Sequence, residues 1–189
     1  MNDNKRAILL HGTGGSDQDY FWFTDTKKYL EDHGYAVWWP LLPNTDRPEL
    51  EETRNFLEDA WPQADEDAII IAHSSACPLI LHMLQYFKVQ FKQVILVSGF
   101  YQSIDDEGFS ELMLQKEPYD WDAIKKAAKE IILINSDNDP WGCDDKQARP
   151  VAKKLGAKFI LAKGQGHMGS GSFNQPYREF PMLKELLAV

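Results

Sequence analysis

A serine in a tight turn is the first candidate for chemistry in this sequence. The segment Ala68-Ile-Ile-Ile-Ala-His-Ser-Ser-Ala-Cys77 carries an apolar run into a turn, and an apolar helical pattern follows. A nucleophile elbow is usually written G-x-S-x-G, because strand and helix pack too closely there for large side chains. Ala72 and Ala76 occupy the two small positions, so we predict that Ser74, and not Ser75, is the nucleophile. The alternative is that this serine only caps the following helix.

Two aspartates and one histidine follow later predicted strands and are candidates to complete a catalytic triad. Asp137 and Asp139 follow the fifth predicted strand, and His167 follows the sixth in a glycine-rich loop. Ligands of open α/β sheets bind at the carboxyl ends of the strands, where these groups are expected to meet. A serine hydroxyl needs a histidine to take its proton, and a carboxylate to orient that imidazole. The chain order Ser, Asp, His is that of α/β-hydrolases, and either aspartate satisfies it.

The glycine-rich segment His11-Gly-Thr-Gly-Gly15 follows the first predicted strand. Its backbone N–H groups can face a developing oxyanion, so we predict Thr13 N–H and Ser75 N–H as the oxyanion hole. The segment lacks the Gly-Lys-Ser/Thr of a P-loop and the third glycine of G-x-G-x-x-G, which argues against nucleotide binding. His11 is expected to be structural. The side chain of His73 is expected to point away from Ser74.

Six apolar runs predict strands, and the segments between them have helical spacing. The strands are expected at residues 7–12, 35–40, 68–72, 94–98, 131–135 and 158–162, and the helices at 22–33, 49–61, 75–87, 144–155 and 181–187. This alternation predicts one α/β domain over residues 1–189, with a three-layer, open, parallel sheet of six strands. Pro150 predicts a kink, or a helix that begins only near Arg149. Residues 100–130 are too long for one crossover and predict a small cap.

Composition limits the partners and the compartment. The 189 residues carry a formal charge of −9, which disfavours nucleic acid and anionic membranes as partners. The polar N-terminal residues and the absence of a long apolar stretch lead us to expect a cytoplasmic protein without a signal peptide. Cys77 and Cys143 lack metal-ligand spacing, so we expect two free thiols and no metal or cofactor.

Taken together, these motifs resemble those of the small serine hydrolases related to retinoblastoma-binding protein 9 and bacterial YdeN. The similar segments are residues 11–15, 69–76, 95–98, 118–125, 136–140 and 166–167. The resemblance implies an α/β-hydrolase fold shortened by its first two strands, with strand order 2-1-3-4-5-6. It also implies Ser74 as nucleophile, Asp139 as acid and His167 as base. The chain departs from the family at the elbow alanines and at Asn138, which replaces an acidic residue. It has no Leu-x-Cys-x-Glu motif for a retinoblastoma-protein contact.

From these features we expect a serine hydrolase that cleaves a small ester through an acyl-enzyme intermediate. A thioesterase or a peptidase would use the same residues, and a hydrolase fold with weak activity can instead serve as a protein-binding module. No protein partner is indicated. The residues expected to line the substrate pocket are Gly12, Trp22, Phe100, Trp121 and Trp141. Because bulky aromatics also fill a pocket, a short acyl group is expected.

Overall fold

One parallel sheet of six strands forms the centre of the computed structural model, which describes residues 5–62, 66–175 and 177–189. The strands are β1 (Arg6–Leu10), β2 (Ala36–Trp38), β3 (Ile69–His73), β4 (Gln93–Val97), β5 (Ile131–Asn135) and β6 (Lys158–Leu161). Their order in the sheet is β2-β1-β3-β4-β5-β6, and all neighbouring strands are parallel. The predicted α/β fold and strand order are therefore confirmed.

Helices cover both faces of the sheet. They are α1 (Phe23–Asp32), α2 (Leu50–Ala60), α3 (Ala76–Leu84), α4 (Trp121–Lys126), α5 (Asp145–Leu155) and α6 (Pro181–Leu186). Alternate side chains of a strand point to opposite faces. Ile8 therefore belongs to the core cluster that includes residues of α2, α3, α4 and α5, whereas Leu9 belongs to the cluster that includes residues of α1 and α6. None of the helices in the described ranges combines the length and apolar character that a bilayer crossing requires.

Helix α5 begins earlier in the chain than the start near Arg149 that was one of the two predictions made from Pro150. The Asp144 carboxylate caps the helix by accepting a hydrogen bond from the Lys146 N–H, so the helix starts at Asp145 and continues through Pro150. The expectation of a start near Arg149 is wrong, because the capping residue Asp144 lies five residues before that position. The helix ends at Gly156, which has the left-handed conformation common at helix ends.

The segment of residues 100–130 leaves the sheet after β4 and returns at β5. It contains a short 3-10 helix, Ser110–Met113, and then α4, which packs against α3 and α5. Met113 and Ile124 are both buried in the core on this face of the sheet. The two parts of the segment thus pack on the same face of the sheet.

Candidate active site

Ser74 occupies the sharp turn between β3 and α3. Its φ of +55° lies in the left-handed region, which costs a residue with a side chain about 1–3 kcal/mol. Two hydrogen bonds hold this conformation: Ser74 N–H donates to the Val97 carbonyl, and Cys77 N–H donates to the Ser74 carbonyl, both at 2.9 Å. Gly12 packs directly against the turn, and a Cβ added there would lie only 2.5 Å from Ser74 Cβ. The chain therefore presents the Ser74 side chain at a strained turn that needs a glycine beside it.

Ser74, His167 and Asp139 form a continuous chain of hydrogen bonds. Ser74 Oγ lies 3.0 Å from His167 Nε2, and His167 Nδ1 lies 2.7 Å from Asp139 Oδ2. The Asp139 side chain is fully buried, and its second oxygen accepts a hydrogen bond from Trp141 N–H at 2.9 Å. Because an ionised carboxylate only accepts hydrogen bonds, Nδ1 carries the proton and Nε2 is free to accept the serine hydroxyl. This is the arrangement in which histidine can act as a general base toward serine.

The loop after β5 positions the loop that carries His167. Three of its side-chain oxygens accept backbone N–H groups from that second loop: Asp137 Oδ1 from Gly164 at 2.8 Å, Ser136 Oγ from Gln165 at 3.1 Å, and Asn138 Oδ1 from Gly166 at 2.8 Å. Asp137 is exposed and contacts the backbone of the loop, whereas Asp139 contacts the imidazole. The structure thus separates the two aspartates that the residue pattern left as alternatives.

His167 is also held through its backbone. Its N–H donates to Gln175 Oε1 at 2.9 Å, and its carbonyl accepts hydrogen bonds from His73 Nε2 and Ser98 Oγ, each at 3.0 Å. Burial lowers the pKa of His73 to about 3, so this histidine is neutral and donates through Nε2. Sequence reasoning missed Ser98 and Gln175. Ser98 directly follows β4, where the rule of strand ends could have found it.

The first glycine-rich loop packs tightly beside the elbow. His11 Nε2 accepts a hydrogen bond from Leu42 N–H at 3.0 Å, so Nδ1 carries the proton that it donates to the Gly12 carbonyl at 2.9 Å. Burial lowers the pKa of His11, which agrees with this neutral, structural role. Thr13 Oγ1 donates to Ser75 Oγ at 3.0 Å, which brings the two residues predicted for the oxyanion hole together beside Ser74.

A cavity of about 590 Å³ opens beside Ser74 and His167. Thr13, Ser75, Phe100 and Trp141 line it, as expected from the sequence. Apolar side chains that the sequence did not single out for the pocket complete its wall: Tyr20, Phe21, Ile104, Phe109 and Met113. The segment of residues 100–130 thus supplies part of the wall through residues that precede α4.

Three of the expected pocket residues lie elsewhere. Gly12 packs behind the pocket against Ser74. Trp22 is fully buried in the core, where it stacks on Phe23 and donates from Nε1 to the Met168 carbonyl at 2.8 Å. Through this hydrogen bond Trp22 holds Met168, the residue after His167, and it does not line the cavity.

Trp121 is the third of these residues and begins α4. Its ring packs against Tyr119 at 5.0 Å and lies 5.4 Å from the Lys154 ammonium on α5. This placement follows from the packing of α4 against α3 and α5, and no residue of α4 lines the cavity. The sequence located an aromatic-rich segment here, and only the packing decides which rings face the cavity.

Acidic groups provide the charge around the cavity. Asp46, Asp105 and Glu107 line it, whereas no lysine or arginine does so among the described residues. Hydrogen bonds from Ser110, chiefly from its side chain, lower the pKa of Asp105, so this carboxylate is ionised at neutral pH. Negative charge at these positions disfavours an anionic ligand.

A buried thiol also lies beside the triad. Cys143 is 1% exposed and lines the cavity. Burial raises the pKa of this thiol well above its usual value, and the negative charge of Asp139 adds to the effect, so the group is a neutral thiol. Asp139, Cys143 and His167 each offer one possible ligand atom, and these three atoms all lie within 4.8 Å of one another. These three side chains are the group in the described structure that could hold a metal ion.

Comparison with known proteins identifies the family and agrees with the fold. A model of the serine hydrolase family matches residues 7–188. Serine hydrolase RBBP9 of Rattus norvegicus is 27% identical over 180 residues, which cover 94% of this chain and 95% of that protein. YdeN of Bacillus subtilis is 30% identical over 168 residues, which cover 86% and 85% of the two chains.

Solved structures with the same fold include proteins of quite different sequence. The ydeN gene product of B. subtilis has a TM-score of 0.87 at 24% identity, over 97% of this chain and 96% of the other. Est1E of Butyrivibrio proteoclasticus, solved with bound ferulic acid, has a TM-score of 0.67 at 13% identity, over 97% and 86%. Since the family model spans nearly the whole chain, this protein is an enzyme with an α/β-hydrolase fold that belongs to the serine hydrolase family.

Proposed function

We propose that this enzyme hydrolyses a small, uncharged carboxylic ester through an acyl-enzyme intermediate on Ser74. The observation that carries the proposal is the hydrogen-bonded chain from Ser74 Oγ to His167 Nε2 and from His167 Nδ1 to Asp139, placed beside an apolar cavity. A serine alcohol is a weak nucleophile at neutral pH, and this chain supplies the base that activates it.

In the acylation step, Ser74 Oγ attacks the ester carbonyl carbon while its proton moves to His167 Nε2. The carbonyl π bond opens to give a tetrahedral intermediate with a negative oxygen. Collapse of that intermediate restores the carbonyl and breaks the bond to the alkoxide, which takes the proton from His167 and leaves as the alcohol. Asp139 accepts the Nδ1 hydrogen bond throughout and stabilises the imidazolium that forms between these two transfers.

In the deacylation step, water replaces the alcohol and reacts by the same route. His167 Nε2 takes a proton from the water as its oxygen attacks the acyl carbon. Collapse of the second tetrahedral intermediate breaks the bond to Ser74 Oγ, and His167 returns the proton to that oxygen. The carboxylic acid leaves, and every group is restored to its starting state.

Thr13 N–H and Ser75 N–H are the donors that we propose for the negative oxygen of both intermediates. Ser75 precedes α3, so the N-terminal end of that helix adds positive potential at the same position. Loss of a single oxyanion donor in serine hydrolases costs about 10²–10³ in rate. The hydrogen bond between the Thr13 and Ser75 side chains holds the two donors in register.

The cavity supports a small, uncharged substrate. Its volume of about 590 Å³ lies within the range of about 300–1,000 Å³ that is typical of small-molecule sites. Its apolar wall favours hydrocarbon, and its carboxylates disfavour free acids and phosphates. Trp22 and Trp121 lie outside it, but Tyr20, Phe21 and Phe109 line it in their place, so aromatic rings still make up much of the wall. The preference for a short acyl group stays a prediction.

Labelling with a fluorophosphonate tests the proposed nucleophile. We expect one adduct on Ser74, and its complete loss in Ser74→Ala. Ser75→Ala is the matched control and should still be labelled, because it keeps the backbone N–H that the proposal uses. An adduct that mass spectrometry locates on Ser75 or Cys77 would contradict the assignment, and a folded protein without any adduct would favour the binding-module alternative.

A further inference from the structure

We propose that Cys143, His167 and Asp139 form an inhibitory binding site for Zn²⁺ and chemically similar thiophilic divalent cations. The inhibition rests on the proposed function, whereas the binding does not. In this proposal the cation takes no part in hydrolysis. It binds the His167 imidazole that the reaction needs, and so holds the enzyme in a reversible inactive state.

The three side chains offer a ligand set that suits zinc. A thiolate, an imidazole and a carboxylate are the three side-chain types that bind Zn²⁺, and catalytic zinc sites commonly use three protein ligands. The ligand atoms of Cys143, His167 and Asp139 already lie within 4.8 Å of one another. Bond lengths of about 2.0–2.3 Å to a tetrahedral ion place ligand atoms roughly 3.3–3.8 Å apart. The most distant ligand atoms would have to approach by about 1 Å, and a metal at His167 Nδ1 would have to widen the 2.7 Å contact between this nitrogen and Asp139 Oδ2.

The cation can reach this site through the cavity. Cys143 and His167 both line the cavity wall, beside Ser74. The surrounding charge favours a cation, because Asp46, Asp105 and Glu107 line the same cavity and no lysine or arginine does so among residues 5–62, 66–175 and 177–189. The negative charge around the cavity therefore raises the local concentration of a dication near the thiol.

The charge balance of the site also favours a dication. Two of the three ligands would be anionic once a metal is bound, namely the Cys143 thiolate and the Asp139 carboxylate. A bound Zn²⁺ compensates both negative charges at once, so the thiol can release its proton to solvent and bind as thiolate. The site then holds one dication, one thiolate, one carboxylate and one neutral imidazole, with no net charge.

Inhibition follows from the use of His167. A nitrogen that donates its lone pair to a metal cannot accept a proton from Ser74, and a metal at Nδ1 would displace the hydrogen bond to Asp139. Either geometry leaves Ser74 without an activated base. Mg²⁺ should not substitute, because it prefers oxygen ligands and six-fold geometry.

Cobalt binding tests the site without any substrate. Co²⁺ titrated into the full-length protein in thiol-free buffer should produce the near-ultraviolet absorption of a thiolate–Co²⁺ bond, and Zn²⁺ should abolish it by competition. Cys143→Ala should lose this absorption. Cys77→Ser is the matched control: this second buried cysteine is outside the ligand cluster, so its replacement should preserve the absorption. Absence of the band in the wild-type protein, or its persistence in Cys143→Ala, would overturn the proposal.

Zinc inhibition then tests the consequence. The rate of fluorophosphonate labelling should fall as Zn²⁺ is added and recover on addition of EDTA, each variant being compared with its own metal-free rate. Loss of a group that only orients a metal ligand costs about 10- to 100-fold in affinity. Loss of Cys143 itself should therefore raise the half-inhibitory Zn²⁺ concentration at least about tenfold.

The outcomes separate the two proposals. Equal Zn²⁺ sensitivity in wild type and Cys143→Ala would overturn the inhibitory site. A Cys143-dependent Co²⁺ band in a protein that neither reacts with fluorophosphonate nor hydrolyses esters would support the metal site and contradict the proposed function.

Discussion

Replacing Gly12 by alanine is the most direct steric test of the elbow. The added Cβ would lie 2.5 Å from Ser74 Cβ, 3.0 Å from the His73 carbonyl oxygen and 3.1 Å from Ser74 Oγ. Ordinary contact begins at 3.4 Å, so the shortest of these contacts falls 0.9 Å short. The two neighbouring residues are His73, at the end of β3, and Ser74, in the strained turn. Neither can move away without loss of the hydrogen bonds that hold this turn.

We expect Gly12→Ala to impair catalysis and to lower stability by a comparable free energy. Inserting a methyl group into a packed interior usually costs about 1–3 kcal/mol of unfolding free energy. A displacement of a catalytic group by about 1 Å costs on the order of 10² in rate, so kcat/KM should fall by about that factor. The backbone of Gly12 does not need a positive φ, and the effect should therefore come from the contact alone.

The assay compares kcat/KM for a short ester, the fluorophosphonate labelling rate and the midpoint of thermal unfolding. Gly171→Ala is the matched control on the cavity wall, since a Cβ there meets no atom within 4 Å and Gly171 does not need a positive φ. Wild-type kcat/KM in a folded Gly12→Ala protein would refute the reasoning, because it would mean that the turn yields without moving Ser74.

Three further predictions concern the acid, the substrate and pH. Asp139→Asn should lower kcat by about 10⁴ through loss of the correct imidazole tautomer, whereas Asp137→Asn should keep most activity, because an amide oxygen can still accept the Gly164 N–H; the reverse ranking in steady-state assays would contradict the assignment. Across acetyl, butyryl, octanoyl and palmitoyl esters, kcat/KM should decline with acyl length, each poorly fitting methylene being worth about 1–3 kcal/mol; a rise toward octanoyl or longer would indicate an open groove. The pKa of His73 is lowered to about 3, so unfolded chains bind its proton below about pH 6.5 while the folded protein does not. His73 should thus lower the unfolding free energy by about 1.4 kcal/mol for each pH unit of acidification between about pH 6 and pH 3. In urea denaturation, the dependence of the unfolding free energy on pH should be weaker in His73→Gln by about this amount.

The residue pattern was sufficient for the fold because its signals are local. Buried parallel strands need continuous apolar runs, and the turns between them need small or capping residues, so both are visible within a few positions. The same holds for Ser74, whose neighbours at two positions on each side must be small. His167 follows from one further rule, that parallel strands end at the same edge of the sheet.

Only the tertiary packing determined which candidate side chains face the site. The residue types left Asp137 and Asp139 as alternatives, and the resemblance to the family named Asp139. In the structure the loop after β5 turns so that Asp139 meets His167 while Asp137 binds the backbone at Gly164. The pocket aromatics divide in the same way: Trp141 lines the cavity, and Trp22 supports it from the core.

The position of Cys143 shows the limit of sequence reasoning most clearly. Its spacing from His167 and Asp139 matches no metal motif, because metal motifs record ligands that share one local element. Here the three ligand atoms come from two loops and meet only after the sheet aligns their strands. A sequence thus determines which strands end at the site, whereas the contacts among side chains on different loops arise only from the packing of distant segments.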